Sequence, residues 1–161
     1  TIAGTTYTSM TVSSNGFVTF GTTVPTSTYY TPVSGSTGYD AAISPFGINL
    51  ENAASGSPKV SYNTNAGGEI VVQWQDLKRS SATGDQVSFQ LRLNPSSGLI
   101  KFVYGNVSTT YTGSSYALQV GLRGKSNSDY NNRTTTTDWS ATTTPGTAPR
   151  ASTAWWTTIR G

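Results

Sequence analysis

The run Gln86-Val87-Ser88-Phe89-Gln90-Leu91-Arg92-Leu93, followed by Asn94-Pro95-Ser96-Ser97-Gly98 and then Leu99-Ile100-Lys101-Phe102-Val103-Tyr104, decides the fold. Successive side chains of a strand point to opposite faces. Val87, Phe89, Leu91 and Leu93 therefore share one face, and Ser88, Gln90 and Arg92 share the other. This is a half-buried strand with one wet side. Ile100, Phe102 and Tyr104 repeat the pattern against Lys101 and Val103. The loop between the two runs carries Pro95 and Gly98, which favour a chain reversal. Two amphipathic strands joined this way form an antiparallel pair, and its apolar face needs a second layer over it.

Working outward, Ile70, Val72 and Trp74 fall on one face of Glu69 to Asp76, and Leu118, Val120 and Leu122 alternate with Gln119, Gly121 and Arg123. Shorter candidates are Ser9 to Ser14, Phe17 to Phe20, Ala42 to Leu50, and Lys59 to Asn63 with Val60 and Tyr62 inward. The stretch from 59 to 104 reads as a three-strand meander. Ser14-Asn15-Gly16-Phe17 places Asn-Gly between two strands, a strong hairpin signal. Asn65 to Gly68 and Ser80 to Asp85 read as further turns. No window has helical i, i+3, i+4 spacing, although a short helical turn at Asp40 to Ile43 is compatible with the sequence. The expectation is one all-β domain over residues 1–161, an antiparallel β-sandwich or jelly-roll-like fold of about eight to eleven strands. Gly21 to Tyr39 and Asn127 to Thr158 are long and irregular, and segments of that length in a compact domain are commonly functional loops or strands that the pattern does not reveal.

The composition fits an extracellular β-domain. The chain has 28 threonines and 22 serines, and only 11% of residues are charged, against about 25% in an average globular protein. Four tryptophans, nine tyrosines and five phenylalanines argue against disorder. The net charge is +3, and the bases are scattered singly. Nucleic-acid binders concentrate Lys and Arg on one stripe, so that class is set aside. No run of apolar residues reaches membrane-spanning length. The sequence begins at Thr1 without a leader, and reads as a mature or excised piece of something longer.

The chain contains no histidine and no cysteine. That removes Ser-His-Asp and Cys-His nucleophilic machinery and the usual zinc ligands. Paired carboxylates could still cleave a glycosidic bond, but the seven acids are isolated. Asp76 and Asp85 read as solvated turn acids beside Lys78 and Arg79, and Glu51 as a loop acid. No enzyme activity, cofactor or metal is expected; a loop-built calcium site would have to use Asp40. Trp74 and Trp139 read as core or anchor residues. Trp155 and Trp156 are adjacent, so on a strand at most one of them enters a core. The other would meet a neighbouring subunit or stack on a sugar, unless it simply packs. Tyr29 and Tyr30 raise the same options. Asn106-Val107-Ser108 and Asn132-Arg133-Thr134 fit the N-x-S/T glycosylation pattern.

Several words resemble a β-sandwich domain of secreted and surface proteins of Bacteroidetes type. They are SMTVSSNGFVTFG (Ser9 to Gly21), AAISPFGINLE (Ala41 to Glu51), EIVVQWQDLKR, QVSFQLRLNPSSGLIKFVYG, YALQVGLRG and DYNNRTTTTDWS (Asp129 to Ser140). The resemblance spans roughly residues 5 to 140 and implies a sandwich fold outside the cell. Members carry a GFTFxYNG-like strand before the segment matching Gly4 to Tyr7; here that strand is missing, and residues 141–161 diverge. The expected function is a non-enzymatic structural or adhesive module, in one form a fibre subunit joined by strand addition. Its partners would be other subunits or domains of the same assembly, and glycans. The alternative class is a carbohydrate-binding module using exposed aromatics; a glycoside-active enzyme ranks below both.

Overall fold

The computed structural model describes residues 1–36, 38–108 and 118–132 and the backbone of Trp156–Arg160. These residues form strands and no helix. One sheet contains β1 (Met10–Ser13), β2 (Phe17–Phe20), β3 (Ala41–Gly47), β9 (Gln119–Arg123) and β10 (Tyr130–Asn132), in the order β1-β2-β3-β9-β10. The other contains β4 (Leu50–Asn52), β5 (Lys59–Thr64), β6 (Ile70–Arg79), β7 (Gln86–Asn94), β8 (Leu99–Ser108) and β11 (Trp156–Arg160). Its order is β11-β8-β7-β6-β4, with β5 also on β6. All pairs are antiparallel except β11 on β8, which is parallel. The β-sandwich is therefore as expected. The meander from 59 to 104 has four strands rather than three, and Asp40 to Ile43 leads into β3 instead of a helical turn.

The alternating residues of β6, β7 and β8 form the core with the inner residues of the first sheet. Trp74 stacks on Phe89 with centroids 5.1 Å apart, and Phe89 stacks on Phe46 at 5.3 Å. Full burial of each such side chain contributes on the order of 2–3 kcal/mol. Two polar handles cross between the sheets: Trp74 Nε1 donates to the Ser13 carbonyl at 2.8 Å, and Tyr104 Oη donates to the Pro45 carbonyl at 2.6 Å. Each satisfies a donor that the core would otherwise strand.

The first sheet is covered on both sides. Every residue of β2, β3 and β9 is buried, although only alternate ones can face the second sheet. The segment from Thr22 to Tyr39 closes the opposite side, and Val33 and Tyr39 seal it. Small residues on β3, Ala42 and Ser44, make room for this cover, while Gly121 on β9 makes room for the Asn131 carbonyl of β10. The polar groups of the cover, mostly of its backbone, are met by side chains from the sheet. Gln119 Oε1 accepts from Val33 N at 2.7 Å, Gln119 Nε2 donates to Ser34 Oγ at 2.7 Å, and Arg123 Nη1 donates to the Gly35 carbonyl at 3.0 Å. Arg123 is 2% exposed, beneath the Tyr39 ring, and burial pushes its guanidinium below its ordinary pKa.

Asn15 is the hub of this layer. The β1–β2 connection is the three-residue loop Ser14-Asn15-Gly16, with Gly16 at φ 81°, the pattern of a turn closed by a left-handed residue. A Cβ at Gly16 would collide with the Phe46 carbonyl. Asn15 itself is buried. Its Nδ2 donates to the Ser27 carbonyl at 2.8 Å and the Tyr29 carbonyl at 3.0 Å, and its Oδ1 accepts from Leu50 N at 3.1 Å.

A bulge at Asp76 divides β6. Strand β5 pairs with Ile70 to Gln75, and β4 pairs with Leu77 to Arg79. Asp76, between them, has φ 51°, a left-handed conformation that Asp tolerates better than most residues. Its carboxylate accepts from Ser57 N at 2.8 Å, Gln86 Nε2 at 3.2 Å and Ser88 Oγ at 3.3 Å. These donors, led by the Ser57 amide, hold its pKa below the ordinary value.

Two outcomes follow. Asn15→Ala should lower stability by about 2–4 kcal/mol in chemical denaturation, since three hydrogen bonds of a buried side chain are lost and two carbonyls and the Leu50 amide are orphaned. Limited proteolysis of the variant should cut first between residues 22 and 39. For Asp76 the depressed pKa means that its contribution is present above the ordinary carboxylate value of 3.8 and is lost as pH falls through the lower folded-state value. Thermal midpoints of wild type and Asp76→Asn should therefore differ near neutral pH and converge in acid. A constant difference across that range would refute the assignment.

Candidate functional site: an open seam at the sandwich edge

Val60 pairs with Trp74 and Tyr62 pairs with Val72. Directly opposed residues share a face, and Trp74 and Val72 are core residues, so Val60 and Tyr62 point inward. Yet Val60 is 39% exposed and Tyr62 78%. The cause is the offset of the two sheets. The Trp74–Ser13 bond sets the end of β1 above β6, and β5 lies one strand further out. The first sheet ends at β1, which among the described residues pairs only with β2. Met10 and Val12, on the inner side of β1, are accordingly only partly buried.

The seam continues into a cleft of about 330 Å³ between the sheets, lined by Ser14, Leu50, Glu51, Asn52, Lys59, Val60 and Leu77. The cleft lies where β5 gives way to β4 beside the Asp76 bulge. On its rim, Lys78 Nζ donates to Glu51 Oε1 at 2.6 Å and Ser81 N donates at 3.3 Å. The Lys78 bond, then the Ser81 amide, hold the Glu51 carboxyl below its usual pKa. The floor and shelf are apolar, and β1 carries no charge, proline or bulge. Edge strands are normally guarded by such features.

The aromatic candidates are not brought together. Tyr29 is half-buried in the cover, edge-on to Tyr39 at 5.3 Å. Tyr30 is exposed on the same segment. Trp156 opens β11, in register with Ile100 on the far side of the second sheet; Trp155 and Trp139 lie outside the described residues. Asn106 is exposed, and its Nδ2 donates to Gln86 Oε1 at 3.2 Å. Asn132 instead uses its Oδ1 to accept from Val120 N at 3.2 Å. Asp40 is exposed beside Gly21, and among the described residues no three acids cluster as metal ligands. Three acids depart from expectation. Asp76 is not a solvated turn acid but sits at the bulge within β6, its carboxylate held by Ser57 N, Gln86 Nε2 and Ser88 Oγ. Asp85 is not a solvated turn acid: it is buried in a two-pronged ion pair with Arg79, because the β6–β7 turn folds the two residues onto each other. Glu51 lies on β4, paired with Lys78, rather than in a loop.

The alternation of Lys59 to Asn63 gave the direction of Val60 and Tyr62, but not their exposure. That depends on the width of the opposite sheet, for which the local sequence carries no signal.

No helix among the described residues is long and apolar enough to cross a membrane. No curated protein and no solved structure matches the sequence. A family model described as NIDO related matches residues 1–156. The NIDO domain is an extracellular module, in general without enzymatic activity. This agrees with the compartment implied by the sequence resemblance, but carries no link to Bacteroidetes. With the match running through nearly the whole sandwich, the chain belongs to the NIDO-related family.

Proposed function

We propose that this chain is a structural or adhesive module of an extracellular assembly, joined to its neighbours by strand addition at the β1 edge. The observation that carries this reading is the pairing, among the described residues, of an unguarded edge with an uncovered inner face. The edge offers main-chain donors and acceptors, and the face offers apolar surface. Together these are what β-augmentation uses for affinity and for specificity. A fibre subunit is one form such a module takes. The family's extracellular, non-catalytic character supports it.

A carbohydrate-binding reading draws on one feature, the exposed ring of Tyr62 on β5. A glycan array with a Tyr62→Ala control separates the two, since strand addition predicts no glycan dependent on that ring.

The direct test is hydrogen exchange. Peptides covering β1 should exchange more slowly when the chain sits in its native extracellular assembly than when it is isolated. Thr11→Lys, which places a charge on the outward side of β1, should keep the isolated fold and prevent incorporation. Equal exchange of β1 in both states, together with normal incorporation of the lysine variant, would sink the reading.

A further inference from the structure

The seam also limits what can add to β1. We infer that its occupant is a single extended segment of another polypeptide, uncharged on its inward side, with apolar residues at alternate positions seated on Val60 and Tyr62. This rests on the strand-addition reading and adds the identity of the seat and of its ligand.

The argument is steric. Strands in a sheet lie about 4.8 Å apart and packed sheets about 10 Å apart. Because Ser13 of β1 is bonded to Trp74 of β6, a strand placed beside β1 comes to lie directly over β5. If that strand were β1 of a second copy, related by a two-fold axis, the copy would bring its own projecting β5 into the same space. Pairing of β1 with β1 is therefore excluded by the overhang that exposes Tyr62. The opposite edge of the same sheet, which among the described residues is β10, is also a poor fit. Its inward residue is Asn131, opposite Leu122, and an amide gives the shelf no apolar partner. A lone strand, without a second layer of its own beneath it, fits the space.

The seat also dictates the pattern of the guest. Its inward side chains must lie between Met10 and Val12 at the side and Val60 and Tyr62 below, with the cleft floored by Leu50 and Leu77 at the Ser14 end. Over Val60 and Tyr62, away from the Ser14 end where Glu51 and Lys59 line the cleft, no charged group lies along β1 or on the inward side of β5. An inward charge on the guest there would be desolvated without a partner. Only alternate residues face in, so alternation distinguishes a seated strand from an adsorbed one.

The test uses the folded chain and a short synthetic peptide in which valine, leucine and tyrosine alternate with threonine. A peptide of the same composition with its apolar residues contiguous is the control. Fluorescence anisotropy should show saturable binding of the alternating peptide. Binding should be about tenfold or more weaker for the control peptide, and for Tyr62→Ser and Val60→Ser. Both side chains are exposed, so circular dichroism should show both variants folded. Equal binding of the two peptides, or unchanged binding by both shelf variants, overturns the proposed seat. If Thr11→Lys abolishes binding while the shelf variants do not, strand addition at β1 stands and the seat alone falls. If neither peptide binds, the single-strand guest is overturned, and hydrogen exchange on β1 decides strand addition separately.

Discussion

One hydrogen bond sets the relation between the two sheets. The Trp74 indole lies wholly inside the core, stacked on Phe89. Its N–H would be costly there without an acceptor. The acceptor is the carbonyl of Ser13, at the end of the outermost strand of the opposite sheet. A core requirement therefore becomes a statement about edges, because β1 is held above β6 and not above β5. The exposure of Tyr62, the partial burial of Met10 and Val12, and the lateral cleft all follow from that one-strand offset.

The bulge at Asp76 completes the arrangement. A ten-residue β6 borders two shorter strands on the same side, and the left-handed residue between them lets β5 and β4 pair with it in turn. The carboxylate that accompanies this backbone is satisfied by the β4–β5 connection and by β7. The bend is thus anchored from both sides. The cleft opens at the same place, so local backbone chemistry decides where the seam widens.

How much of this could be read from the sequence depended on solvent. Strands β6, β7 and β8 have one wet face, and their alternation is plain in Val87 to Leu93 and Ile100 to Tyr104. Strands β2, β3 and β9 are buried on both sides. In β3, Ala42 and Ser44 are small because a covering segment lies on them, and small residues look like weak strand signal. Arg123 looked like the wet partner of Leu122, but it is sealed beneath that segment with the Gly35 carbonyl. Asp85 looked solvated because its partner is six residues away across a turn. The site was the least legible part. The sequence pattern shows that Tyr62 faces inward, yet whether anything lies above it is settled by where another sheet stops.

The buried Asn15 bears on chemical ageing. Asn-Gly is the peptide sequence most open to succinimide formation, because glycine leaves the following amide unshielded. Here the side-chain amide that would have to move is fixed by three hydrogen bonds, and the folded chain resists the reaction. Once an excursion allows it, the damage does not reverse on refolding. An aspartate at this position would turn carboxylate oxygens toward the carbonyls of Ser27 and Tyr29, where donors stood before. The covering segment would lose its hub, and the outer side of β3 and β9 would be opened to water. The bonds that tie down the covering segment are thus the same ones that shield Asn15 from this reaction.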